Sequence, residues 1–336
     1  QALRQPGSSF KPFIYTTAID AGVPLTKKWP DTAVSIQMHD GRFWQPENYD
    51  HRYLGWMTMR EGLAGSRNVV TTQVLQKVGP RKVVEYANRM GIKSRIRPVL
   101  SLGMGTSEVR LLELVSAYGT LPNKGIHVEP LSVLKIVDKN GNLLEEAVQG
   151  REKAVLSEET AAVAVNLMQS VLDMRRGRDY AILNGTGMGA RTAWGFRRPA
   201  GGKTGTTQNY ADAWFVGYTS QIVCGVWVGF DSKVSMGSKM TGASVTMPVW
   251  AQFMKRAHKA LDLPVENFEM PASIPRVEVC GDTYEVASIY CPKKYTEVFK
   301  PGTEPKRPCP DHTSGARATP AASGPSKDQK KREYQF

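Results

Sequence analysis

The chain has 336 residues, 41% apolar and 22% charged, with a formal charge of +13. That size supports one large domain or two small ones, and no apolar run reaches the ~18–20 residues of a membrane-spanning helix. The positive charge is spread out apart from the terminal "KDQKKR". With no helix-turn-helix, zinc-finger or RNA-binding signature, it reads as a basic surface facing an acidic envelope or membrane, and no nucleic-acid partner is expected.

The chain opens on Gln1 and reads as a piece of a longer polypeptide. "PFIYTTAIDAG" is an apolar helix closed by Gly22. Pro12 belongs in its first turn, where a missing N–H costs little, so the helix begins near Ser8 or Ser9. "TMREGLAGS" carries a Thr58-x-x-Glu61 capping box and runs into Ser66. "NVVTTQVLQKVG" and "PRKVVEYANRMG" are two amphipathic helices stopped by glycine, and "SEVRLLELVSAYGTL" is a third, more apolar one. Asn140-Gly141 turns a β-hairpin. "SEETAAVAVNLMQSVLDM" is a long helix with Ser157 as N-cap. Three β-rich runs follow, "GGKTGTT", "DAWFVGYT" and "IVCGVWVGF", then the helix "MPVWAQFMKRAHKAL".

Consecutive strands after a large helical insert favour an α+β layering with an antiparallel sheet flanked by helices. Three stretches are expected: a main domain over 1–262, a cysteine-bearing extension over 263–313, and a disordered basic tail over 314–336. Three of the four cysteines (Cys224, Cys280, Cys291, Cys309) fall in the extension, which suggests a stapled module in an oxidising compartment. Four cysteines allow three full pairings; Cys280–Cys291, around "GDTYEVASIY", is the expected one, with Cys224 a buried thiol. "CPDH" sets one Cys beside one His, too little for a metal site. No metal and no cofactor are expected.

The chemistry starts at "RQPGSSFKPF". Positions three apart share a helix face, so Ser8, not Ser9, is the partner of Lys11. Ser8 sits at a helix N-terminus, whose free N–H groups can stabilise an oxyanion. A serine needs a base, and lysine is one only if burial or another cation lowers its pKa. The plainer reading is a helix cap followed by a surface lysine. Two further motifs weigh against it: Ser66-x-Asn68, and Lys203-Thr204-Gly205 after two glycines. A second lysine would lower the pKa of Lys11 and attract a carboxylate. Gly205 would let a substrate lie flat along a strand.

Ser-x-x-Lys, Ser-x-Asn and Lys-Thr-Gly in this order resemble the motif set of penicillin-binding proteins and serine β-lactamases. "WQPENYD", "REGLAGSRNVV", "LSLGMGTSEVRLLELVSAYGTLPNKG" and "GGKTGTTQNYADAWFVGYT" narrow the resemblance to the transpeptidase domain of class A, 1A-like penicillin-binding proteins, over residues 1 to about 260. The resemblance implies a serine β-lactamase/DD-peptidase-like fold and peptidoglycan D,D-transpeptidase activity. Ser8 would be acylated by a D-Ala-D-Ala stem peptide and the acyl group passed to an amine of a neighbouring strand. Lys11 would be the base, and Ser66 and Lys203 would relay the proton. Asn68, Thr204, Gly205, Thr206 and Thr207 would bind substrate, and the N–H groups of Ser8 and Thr206 would form the oxyanion hole. β-Lactams would inhibit.

The resemblance also implies a membrane anchor and a glycosyltransferase domain upstream, and an extracytoplasmic location, with membrane contact only through that anchor. Alternatives on the same fold are a D,D-carboxypeptidase, a β-lactamase and a non-catalytic β-lactam sensor. The family sheet has five strands, with an N-terminal strand beside the last. Here a three-stranded sheet is expected, with residues 222–230 on an open edge. The apolar faces of the Ser8 helix and of "MPVWAQFMKRAHKAL" are expected to be partly bare.

Overall fold

The computed structural model describes residues 2–37, 41–147, 150, 152–176 and 181–313. The basic tail read over 314–336 lies outside the described residues. A 3-10 turn, Gly7–Phe10, runs straight into α1 (Lys11–Asp20), with Pro12 in the first turn as its missing N–H requires. Short strands β1 (Lys28–Asp31), β2 (Ile36–Gln37), β3 (Phe43–Trp44) and β4 (Gly55–Thr58) follow, β1 pairing with β4 and β2 with β3.

The helical insert comprises α2 (Met59–Ala64), α3 (Asn68–Val78), α4 (Pro80–Arg89) and α5 (Leu111–Gly119). The capping box at the head of α2 forms as expected. Thr58 Oγ1 accepts from Glu61 N at 3.2 Å, and Glu61 Oε2 accepts from Thr58 N at 2.8 Å. Strand β5 (Ile126–Val128) pairs with β8 (Glu152–Ala154). Between them β6 (Lys135–Val137) and β7 (Leu143–Glu146) make the Asn140-Gly141 hairpin, whose turn is tied by Asp138 Oδ1 to the N–H groups of Asn140 and Asn142. Ser157 caps α6 (Glu158–Asp173) through Thr160 N at 3.2 Å. A short α7 (Gly189–Thr192) precedes the main sheet.

That sheet is antiparallel, in the order β11-β10-β9, with β9 at Gly201–Thr206, β10 at Asp212–Tyr218 and β11 at Val223–Gly229. β11 lies on an edge, as the sequence predicts. Helices cover the faces of the sheet, α6 packing against β9. A Cβ on Gly225 would meet Val115 and Leu111 of α5, and one on Gly217 would meet Trp250 of α8 (Met247–Ala260).

The expectation of a bare Ser8 helix is corrected. Phe10, Phe13, Ile14, Tyr15, Ala18 and Ile19 are all buried, because α3 and α4 of the insert, together with α6, enclose α1. Helix α8 buries Trp250 and Met254 but leaves Val249 and Phe253 exposed.

The chain separates into two compact units, Gln1–Val277 with Glu297–Glu304, and Glu278–Thr296 with Pro305–Phe336. The last two strands, β12 (Arg276–Cys280) and β13 (Lys294–Val298), pair with each other. In the smaller unit Val286 bridges antiparallel to Val279 and parallel to Pro308.

The expected Cys280–Cys291 disulfide is not formed, and all four cysteines are free thiols. The Val286–Pro308 bridge carries Cys309 in beside Cys280 and Cys291, so three sulfurs share one cluster and no pair is singled out. Cys224 is half-buried on β11, and burial pushes its thiol up to about 11.

Candidate active site

The turn that carries the two serines is shaped by glycine on both sides of a tight contact. Gly7 has φ +54°, and a Cβ there would lie 2.7 Å from Thr206 O. A Cβ on Gly205 would lie 2.4 Å from Pro6 O. Strand β9 therefore presses its backbone against the turn, which gives Gly205 a structural reason besides room for substrate. Ser9 is fully buried and donates to Pro6 O at 2.7 Å. Ser8 is half-exposed, so of the two hydroxyls it is the accessible one.

Lys11 is fully buried in the first turn of α1. Its Nζ donates to Ser66 O at 2.7 Å, to Asn68 Oδ1 at 2.7 Å and to Ser66 Oγ at 3.3 Å. Lys203, buried on β9, donates to the same Ser66 Oγ at 2.9 Å. Desolvation, then the charges of Lys203 and Arg67, hold Lys11 well below the ordinary lysine range. Burial brings Lys203 down to about 7. Among the described residues no carboxylate hydrogen-bonds to Lys11, Ser66 or Lys203. The expected partnership of Ser8 with Lys11 is likewise not among the hydrogen bonds of the described residues. Lys11 is instead occupied by Ser66 and Asn68.

Ser66 sits in the left-handed region at φ +56°, an uncommon conformation for a serine. It is fixed from both sides. Ser66 N donates to Leu63 O, at the end of α2. The next residue, Arg67, pairs with the fully buried Asp31 at 3.0 Å and grips both oxygens of Asp50 at 3.0 Å. Asn48 joins this wall, donating to Asp31 Oδ1 at 2.7 Å and accepting from Asn68 N at 2.9 Å. Asn68 Nδ2 donates to Glu47 O at 2.8 Å.

On the strand side, Thr204 Oγ1 donates to Thr186 Oγ1 at 3.0 Å and lies 3.4 Å from Lys203 Nζ. Thr206 Oγ1 accepts from Gly242 N at 3.1 Å. Thr207 is bound into the β9–β10 turn, accepting from Asp212 N at 2.9 Å.

Lys11, Ser66, Asn68, Lys203 and Thr204 thus form one hydrogen-bonded network, with Ser8 and Thr206 adjoining through the Gly7–Thr206 contact. Sequence reasoning missed Thr186, Asp31, Asn48 and Asp50. It also missed a bond between Tyr49 and Tyr210 hydroxyls at 2.7 Å. "WQPENYD" carried the signal for three of these, since it contains Asn48, Tyr49 and Asp50.

Residues 1–255 match the penicillin binding protein transpeptidase domain. The chain belongs to that family. Residues 270–314 match a second one, the penicillin-binding protein 1A C-terminal domain. Penicillin-binding protein 1A of Aquifex aeolicus is 38% identical over 314 residues, which covers 93% of this chain and 40% of that protein. The namesake from Rickettsia conorii is 34% identical over 309 residues, covering 85% and 37%. Among solved structures, penicillin-binding protein 1A from Haemophilus influenzae superposes with a TM-score of 0.84 at 29% identity, covering 92% of this chain and 49% of that one. PonA1 of Mycobacterium tuberculosis in complex with penicillin V gives a TM-score of 0.68 at 25% identity, covering 81% and 73%. The chain spans less than half the length of these curated relatives. As in the transpeptidase family, the fold is mixed α+β with an antiparallel sheet. Among the described residues no helix is long and apolar enough to cross a membrane.

Proposed function

We propose that this domain is a serine-type peptidoglycan D,D-transpeptidase with Ser8 as its nucleophile. The observation that carries the reading is the convergence of two buried lysines on Ser66 Oγ, with no carboxylate bonded to them among the described residues, behind a half-exposed serine. Two ammonium groups sharing one buried hydroxyl disfavour each other's charge, so one amine is held ready to accept a proton.

The Ser8 hydroxyl attacks the penultimate D-Ala carbonyl carbon and its proton passes to neutral Lys11. Substrate binding draws Lys11 from Ser66 toward Ser8, the tightening that an unliganded site requires. The N–H groups of Ser8 and Thr206 hold the oxyanion. The C–N bond to the terminal D-Ala breaks, and its amine takes a proton relayed through Ser66 and Lys203. Thr204 and Thr206 grip the terminal carboxylate, Gly205 within β9 and Thr207 at its end line the path of the peptide, and Asn68 orients the substrate amide. An amine of a neighbouring stem then attacks the acyl-enzyme, restoring Ser8 and forming the cross-link.

The same acyl-enzyme forms with a β-lactam. The activity is extracytoplasmic, and the membrane anchor and glycosyltransferase domain implied by class A membership would belong to sequence upstream. The test is incubation of the protein with a labelled D-Ala-D-Ala stem peptide, with and without an acceptor amine. A cross-linked product that needs both the amine and Ser8 supports transpeptidation. Hydrolysed stem alone would make the protein a carboxypeptidase. Acylation by β-lactam without any peptide turnover would make it a sensor.

A further inference from the structure

The smaller unit poses a stability problem. Its buried cluster is Cys280, Cys291 and Cys309, with Ala287 packed against it. Among the described residues so small a core, three cysteines and one alanine, usually needs a disulfide or a metal to hold a fold. The sequence expectation met that need with a disulfide. The structure gathers a different set: Cys280, Cys291, Cys309 and His312 point one ligand atom each into a single spot, with all four atoms within 4.8 Å of one another. His312 Nδ1 lies 3.2 Å from Cys309 Sγ and 3.5 Å from Cys280 Sγ.

We propose that these four residues bind one structural zinc ion in the C-terminal unit. Tetrahedral zinc with bonds of about 2.3 Å to sulfur and 2.0–2.1 Å to nitrogen sets its ligand atoms about 3.6–3.8 Å apart, and the cluster needs little adjustment to reach that. Three thiolates and one imidazole are a closed structural set, with no position left for water.

The surroundings match what such ligands require. Each sulfur accepts a hydrogen bond from outside the cluster: Cys280 from Asp282 N at 3.5 Å, Cys291 from Ser288 N at 3.2 Å, and Cys309 from Thr283 Oγ1 at 3.4 Å. These donors offset the negative charge of thiolates bound to a dication. The other ring nitrogen of His312, Nε2, faces Asp282 Oδ2 at 4.0 Å. A carboxylate on that side of the imidazole favours the tautomer with its proton on Nε2, whose Nδ1 can bind metal. A disulfide, by contrast, uses two of three equivalent sulfurs and explains neither the third nor the histidine. The "CPDH" stretch showed only Cys309 and His312. Cys280 and Cys291 come from the two ends of a separate loop, and only the fold joins them.

The test is made on the whole chain. Elemental analysis of protein purified without added metal should find about one zinc per chain. After removal of zinc by chelator, titration with Co²⁺ should give the near-ultraviolet thiolate-to-cobalt band and intense visible bands, saturating at one equivalent. Cys280→Ser and Cys309→Ser should each weaken Co²⁺ binding at least tenfold, and Cys224→Ser, outside the cluster, should not. The proposal is overturned by wild-type protein that yields no cobalt–thiolate spectrum. It is equally overturned by a disulfide among Cys280, Cys291 and Cys309 in the zinc-free protein as isolated, read by non-reducing mass spectrometry. Cobalt binding that survives Cys280→Ser and Cys309→Ser unchanged would also overturn it. The wild-type measurements stand even if a variant fails to fold.

Discussion

Lys11 and Lys203 hydrogen-bond the same oxygen, Ser66 Oγ, at 3.3 Å and 2.9 Å. Both side chains are fully buried, and among the described residues no carboxylate hydrogen-bonds to either. The arrangement costs stability when both are charged, and it keeps an amine available as a base.

The cost is visible in pH dependence. Burial lowers Lys203 to about 7. Between about pH 7 and pH 10 the unfolded chain holds a proton on this lysine that the folded chain does not, so stability rises with pH across that window. Below the folded value both states are protonated and the contribution is flat. Lys11, lowered by burial and then by Lys203 and Arg67, acts in the same direction. Urea unfolding at pH 7 and pH 9 should show wild type gaining on Lys203→Met, by at most ~1.4 kcal/mol per pH unit. A constant gap between the two proteins would contradict the shift.

The two serines separate structure from chemistry. Ser9 Oγ donates to Pro6 O inside the core, whereas Ser8 is half-exposed. Ser9→Ala should lower unfolding free energy by about 0.5–1.5 kcal/mol, the usual worth of one hydrogen bond, and leave penicillin acylation intact. Loss of acylation in a folded Ser9→Ala protein would reverse the assignment.

Removing a proposed proton carrier should act on rate. Lys11→Ala should slow acylation by about 10²–10⁴-fold, the usual worth of a positioned base. Stopped-flow acylation with a chromogenic β-lactam reads this. A change of less than fivefold would assign the proton to another group.

Arg67 anchors the wall that holds Ser66. Asp31 is fully buried, pairs with Arg67 at 3.0 Å, and also accepts from Asn48 and from Leu54 N. Asp31→Ala leaves a buried guanidinium short of a partner, which costs about 3–5 kcal/mol. Denaturant titration should show a loss of that order, with slower acylation because Ser66 follows Arg67. An unchanged midpoint would mean that Asp50 alone suffices.

Local signals in the sequence carried far. The Thr58 capping box, the Asn140-Gly141 turn, the Ser157 cap and the three consecutive strands all form where chemistry within a few residues demands them. The i, i+3 argument set Ser8 beside Lys11, but Lys11 Nζ turns instead to Ser66 and Asn68, which reach it from a distant segment. What was illegible depends on distant segments. The enclosure of α1 comes from α3, α4 and α6, whose packing no local pattern reveals. The Arg67–Asp31 pair joins residues separated by three strands and a helix, and Thr204 meets Thr186 from outside the three motifs. The disulfide expectation failed because sulfur spacing along the chain does not show that Cys309 returns beside Val286.

The central claim is that Ser8 is the nucleophile. Its most direct test is to incubate the protein with labelled penicillin, digest it and locate the adduct by mass spectrometry. The account predicts one adduct, on the peptide containing Ser8, and none in a folded Ser8→Ala variant. An adduct on any other residue of wild type, or labelling that persists in Ser8→Ala, would contradict it.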